Sequence, residues 1–234
     1  MSLDLRQLEI LNLVSDGRGG SVLQYLLQHD NAVPFTAQNY REIVHCLPHP
    51  GNNSSEYLSE KIHKAIVITQ PENAHLWLET MWEYLIAADH YDERFWVYSL
   101  KGMFQAAAFM DKQDRIIPYQ EQLPAVFAKL LCARLPARTR LFKVNCVDEP
   151  TWTRLTDAIK EFFFNPGKPE LKEHRQTQAL SVLHYIGNHA VAEEFGPLNL
   201  HLFQKLLHIF LSRSPTNVLL EAAAGIRCNE FAVE

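Results

Sequence analysis

No stretch of this sequence approaches the roughly 20 apolar residues needed to cross a bilayer. The longest contender, LHLFQKLLHIFL (residues 200–211), is broken by His, Gln and Lys. Nor does the N-terminus carry a basic region followed by an uninterrupted apolar run, so it reads as a helix and not as a signal peptide. Concentrated positive charge is also missing. The net charge is −5, and the densest basic stretch, RLPARTRLFK, holds Arg134, Arg138, Arg140 and Lys143. Four charges there read as a solvated loop; the rival reading, a helical nucleic-acid binder, would use Arg134–Lys143 as a phosphate track. Cysteine is scarce and scattered: Cys46, Cys132, Cys146 and Cys228 include no CxxC pair. That excludes a zinc ribbon or a thioredoxin motif and points to a reducing compartment, hence a soluble, cytoplasmic protein. A secretion route without a cleaved signal is the alternative.

Catalytic signatures are absent as well. There is no GxSxG, no phosphate-binding GxxxxGK[ST], no HExxH and no GxGxxG. No fixed repeat period or tetratricopeptide or ankyrin consensus emerges.

What is present is helical period and apolar bulk. The chain of 234 residues is 47% apolar, enough for one large domain or two small subdomains. Helices are expected over 3–14, 21–29, from after Thr36 to before PHPGNN, and over 54–69, 71–89, 93–110, 119–134, 149–164, 169–194, 198–212 and 216–225. Pro124 is expected to kink or delay the helix it occupies. KAIVIT and LFKVNCV are the weak strand candidates. The fold class is therefore all-α: an irregular multi-helix bundle or a degenerate helical-hairpin array of about ten helices, with residues 71–110 as its central hairpin. The loop at 135–148 divides an N-terminal helical subdomain (1–134) from a C-terminal one (149–234), read together as one compact unit.

The stretch HLWLETMWEYLIAADHYDERFWVYSL (75–100) holds three of the four tryptophans. On a helical wheel Trp77, Leu78, Met81, Trp82, Leu85 and Ala88 form a broad arc. In the next helix Phe95, Trp96, Leu100, Met103, Phe104, Ala106 and Ala107 cover most of the circumference, leaving a polar strip with Lys101 and Gln105. Helices apolar on most sides are packed on more than one side, so this cluster reads as core. The alternative is a ligand pocket lined by Trp77, Trp82, His75 and His90. Asp89 with His90 could form an acid–base pair, but no nucleophile accompanies them, and Asp92 reads as a helix cap.

The candidate metal-ligand pairs are Glu60 with His63, Glu72 with His75, His189 with Glu193, and His201 with His208. The wheel turns Glu56, Glu60 and His63 away from the buried Leu58, Ile62, Ala65 and Ile66, toward water. No three ligands converge, so neither a metal nor another cofactor is expected.

Two features depart from plain solvated surface. Phe162, Phe163 and Phe164 together span about 200° of a helix. They require burial against two neighbours, or leave one Phe exposed to anchor a partner. The second is the face of helix 169–194 bearing His174, Thr177, Gln178, Ser181, His184, Tyr185 and Asn188. It is polar yet uncharged, which suits packing against another helix or another protein. These residues make partner contact the leading expectation. The chain is expected to be a non-catalytic interaction module, adaptor or accessory subunit of a larger multiprotein assembly, a bacterial secretion machine for example, without membrane insertion. An enzyme or small-ligand protein with an inter-helical pocket is the main alternative.

Overall fold

The structure is a computed structural model, and it describes residues 34–45, 55–87, 93–132, 148–189, 208–209 and 212. Seven helices run through this part: α1 (Ala37–His45), α2 (Ser55–Thr69), α3 (Ala74–Ala87), α4 (Glu93–Lys112), α5 (Pro118–Leu131), α6 (Glu149–Phe164) and α7 (Leu171–His189). No strand occurs among the described residues, so the chain is all-helical there. KAIVIT, a candidate strand, is the second half of α2. Its β-branched residues are held helical by tertiary packing, which overrides a weak intrinsic preference. LFKVNCV, the basic stretch 134–143 and the helices expected at 3–14, 21–29 and 216–225 lie outside the described residues, as does most of the one expected at 198–212. No described helix is long and apolar enough to cross a membrane.

Capping chemistry explains several boundaries. At the start of α1 the Thr36 N–H donates to Asn39 Oδ1 (2.9 Å), and the Asn39 N–H donates back to Thr36 Oγ1 (3.4 Å). The Asp148 carboxylate accepts the Thr151 N–H (2.9 Å), and Pro150 in the first turn needs no N–H partner. The helix ends at Phe164, just ahead of Asn165–Pro166. The turn after α2 also holds the chain ahead of α1. Gln70 Oε1 accepts the Phe35 N–H (2.9 Å), and Asn73 donates to the Phe35 carbonyl (3.2 Å).

The helices sort into two rows by contact. In one, α4 packs between α2 and α6; in the other, α1, α3, α5 and α7 follow in series. Each helix therefore leans chiefly on the next but one. This corrects the expectation of a hairpin at 71–110. Its two helices share no extended contact among the described residues, because α3 lies against α1 and α5 while α4 lies in the other row. Both are central, in different rows, and apolar circumference alone does not identify the neighbour. Packing also crosses the 135–148 loop, since α4 meets α6 and α5 meets α7.

The core is continuous from Phe35 to Ile209. Its aromatic centre is Phe104 on α4, with Phe127 at 5.0 Å and 89°, and Phe162 and Phe163 each at 5.7 Å. Such edge-on pairs add to the value of the buried area. Helix α2 is buried on nearly all sides from Lys61 to Thr69, the polar Lys61, His63 and Thr69 included, and Gln70 just after it is buried too. His63 is 2% exposed, so its expected orientation toward water is corrected; Glu56 and Glu60 have no described side chains. Lys101, placed on a polar strip by the wheel, is buried as well.

The α4–α5 turn shows one constrained backbone position. Asp114 has φ 59°, and the Arg115 N–H reaches back to the Met110 carbonyl while the Asp114 N–H reaches that of Asp111. This is the six-to-one and five-to-two pattern that closes helices on a left-handed residue. Asp tolerates that conformation better than a β-branched residue does. Asp114→Val is expected to lower stability by about 1–2 kcal/mol, and Asp114→Gly to change it by less than about 1 kcal/mol despite losing the surface ion pair with Lys168. Urea unfolding of the two variants checks this; equal midpoints would show the turn carries no strain.

Candidate functional site

Helix α7 carries a cation where its apolar stripe calls for a hydrophobe. Arg175 is in phase with Ala179, Val182 and Ile186, and it is 0% exposed. Asp111 stands in the same relation to Leu100, Phe104 and Ala107 on α4 and is also buried. The two meet. Arg175 donates from Nη2 to Asp111 Oδ1 (2.7 Å) and from Nε to Oδ2 (3.3 Å), the paired geometry that suits guanidinium and carboxylate. The guanidinium lies 4.4 Å from the ring centre of Phe162, which covers one of its faces.

Helix α5 closes the network. Gln120, fully buried, donates to Asp111 Oδ1 (2.7 Å) and to the Arg115 carbonyl (2.9 Å), while its Oε1 accepts the Ile117 N–H (2.7 Å). Glu121 receives Arg175 Nη1 at 3.2 Å and Gln178 Nε2 at 3.2 Å, and its Oε2 lies 2.8 Å from His174 Nε2. One buried ion pair thus ties α4, α5 and α7 at a single level and rests on α6.

Beyond this level a groove of about 300 Å³ lies between α5 and α7, lined by Glu121, Pro124, Ala125, Ala128, Gln178, Ser181, Val182 and Tyr185. The two helices run parallel, since Glu121 meets Gln178 at one end while Ala128 and Tyr185, each seven residues on, line the other. Pro124, inside α5, has no N–H to return to the Gln120 carbonyl, and its ring together with two alanines keeps the α5 wall low.

The uncharged stripe of α7 borders this groove. Thr177, Ser181 and Asn188 are exposed; His184 and Tyr185 are half-buried; His174 is exposed beside Glu121. Thr177 donates to the Glu173 carbonyl (3.0 Å) and Ser181 to that of Thr177 (3.1 Å), so both hydroxyls are satisfied within their own helix. Tyr185 stacks on His189 with ring centres 4.1 Å apart. Ser181, Tyr185 and Gln178 reach the groove, while Thr177, His184 and Asn188 are not among its lining residues. Phe162, Phe163 and Phe164 are all buried, which corrects the notion of one exposed as an anchor. Helices α4 and α7 both pack on α6 and cover the run from two sides.

Of the four residues of the candidate aromatic pocket, Trp77, Trp82 and His75 are described, and Trp82 is half-buried. Trp77 is buried and donates its indole N–H to His63 Nδ1 at 2.7 Å, while His75 is turned to the Glu72 carbonyl at 3.0 Å. His90 and Asp89 lie outside the described residues, as do Glu193 and His201.

The chain matches none of the known protein families, curated proteins or solved structures with which it was compared. The sequence-based reading missed the Arg175–Asp111–Gln120–Glu121 network. Its signal was present: a charge on an otherwise apolar stripe, once in α4 with a negative sign and once in α7 with a positive one.

Proposed function

We propose that this chain is a non-catalytic helical interaction module, an adaptor or accessory subunit of a multiprotein assembly working in the cytoplasm. Its helices are read as a degenerate hairpin array of about ten members. The α5–α7 groove, flanked by the uncharged stripe of Thr177, Ser181, His184, Tyr185 and Asn188, is taken as the partner-facing surface. The observation that carries the reading is this groove: a concave, mostly apolar trough with a polar lip, bounded at one end by Glu121 beside the buried Arg175–Asp111 pair. Interface cores have that composition, apolar in the middle and rimmed by groups that bond readily without strong hydration. A small molecule is the second reading, because about 300 Å³ is the lower end of ligand-pocket size.

The test is a paired substitution, Ser181→Arg with His184→Glu, in the chain used as bait in its source lysate. The expected outcome is loss of a stoichiometric partner with the thermal unfolding temperature changed by less than about 4 °C, since Ser181 is exposed and His184 is only half-buried. Retention of the partner at full yield would overturn the assignment of this face. A tightly held small molecule, released on denaturing the unmodified protein, would favour the second reading.

A further inference from the structure

The groove has a charge as well as a shape, and we infer from the two together that it seats an arginine or lysine side chain of a protein partner. The inference rests on the interaction-module reading and names the partner's anchor chemistry. Glu121 stands at one end with its side chain 38% exposed. Its cationic neighbours among the described residues are Arg175 and His174. Arg175 gives Nε and Nη2 to Asp111, and the Nη1 that reaches Glu121 is shared with Gln178 Oε1 at 2.7 Å. The buried arginine is therefore matched by the buried aspartate, and Glu121 brings a further negative charge to the mouth of the groove.

Beyond Glu121 the trough is lined by Pro124, Ala125, Ala128 and Val182, with Ser181 and Tyr185 on the α7 side. From Glu121 to Ala128 is two helical turns, about 10 Å. That length accepts a chain of three or four methylenes lying along the apolar floor with its cationic head at Glu121, the way long basic side chains bury their stems and keep their heads in polar surroundings. An acidic anchor would set like charges together. A purely apolar anchor would take Glu121 out of water without adding a cation to those it meets in Arg175 and His174. The basic side chain alone satisfies both the floor and the end of the trough.

The probes are three capped tripeptides, Ac-Ala-Arg-Ala-NH2, Ac-Ala-Leu-Ala-NH2 and Ac-Ala-Glu-Ala-NH2, titrated into the full-length chain at pH 8 and low salt with NMR shifts as the readout. The arginine peptide is expected to move Ala125, Ala128 and Ser181 resonances saturably. It should bind at least about tenfold tighter than the other two and weaken as salt is added. Glu121→Gln keeps an acceptor for Arg175 while removing the charge, and Ala125→Phe fills the exposed wall without touching Glu121. Each is expected to weaken the arginine peptide at least about fivefold with native shifts elsewhere preserved. Equal binding of the arginine and leucine peptides, no binding of any of them, or unchanged affinity in a folded Ala125→Phe or Glu121→Gln chain would overturn the inference. If it falls while Ser181→Arg with His184→Glu still abolishes partner capture, the interaction face stands and its anchor is of another chemistry.

Discussion

Arg175→Met is expected to lower the unfolding free energy by about 3–5 kcal/mol, because it strands the Asp111 carboxylate in the core. Asp111 has a side chain 1% exposed and keeps Gln120 as its remaining charge-neutral donor once the guanidinium is gone. Arg175 is its ion-pair partner among the described residues, and a buried unpaired charge is far more costly than the pair was favourable. Met fills much of the Arg stem volume and still packs on Phe162, so lost packing contributes little. The double variant Asp111→Leu with Arg175→Met separates the two terms. It is expected to recover most of the loss, since well-packed apolar replacements of buried ion pairs are often neutral or stabilising. Urea unfolding of the wild type, the single variant and the double variant gives the comparison. A single variant within about 1 kcal/mol of the wild type would mean that Asp111 finds water, and the network would then be peripheral to the fold. If the double variant is stable but no longer binds the partner that the wild type binds, the ion pair serves to aim α7 and hold the groove rather than to stabilise the core.

What was legible in the sequence follows from how local each determinant is. Helix α6 starts at Glu149 and ends at Phe164, the limits that DEPTW and NPG imply, because a cap, a first-turn proline and a terminating Asn-Pro act within a few residues. The breadth of the Phe162–Phe164 run called for two flanking neighbours or one exposed ring, and the structure supplies the neighbours in α4 and α7. Partner identity between helices is not local. The wheel shows a broad apolar arc on α3 and an apolar surface nearly all round α4, but not that each packs within a different row. His63 shows the same limit more sharply. A wheel drawn with one buried face turns His63 to water, whereas the second half of α2 is covered on nearly every side and the polar groups there are buried with it. The groove needed the register between α5 and α7, which is fixed by Arg175 bonding simultaneously to residues 64 and 54 positions earlier, a relation no single helix reveals.

Acidification should destabilise the chain through His63, and this is the second large effect expected. The Trp77 indole can only donate, so its 2.7 Å bond to His63 Nδ1 requires that nitrogen to be unprotonated. The folded ring is therefore neutral with its proton on Nε2, and burial holds its pKa down to about 3 from an ordinary 6.5. In the unfolded chain the ring takes a proton near its ordinary value. Between pH 6.5 and about 3 the unfolded state thus binds one proton more than the folded state at this site, so its contribution is fully present above 6.5 and is lost as pH falls. The slope is about 1.4 kcal/mol per pH unit, or roughly 2–3 kcal/mol by pH 4.5. His63→Gln keeps an acceptor for Trp77 and removes the titration. Urea midpoints at several values from pH 7.5 to 4.5 should fall more steeply for the wild type than for the variant by that amount, the shared slope of other groups cancelling in the difference. Parallel slopes would show that His63 is protonated in the folded chain, which its bond to Trp77 forbids, or that the α2–α3 contact opens before the ring titrates. Steeper loss in the wild type, with near-equal stability at pH 7.5, would show that the folded ring stays neutral and place the acid sensitivity of the fold at the junction of α1, α2 and α3, where Tyr40 leans on the same indole with ring centres 5.8 Å apart.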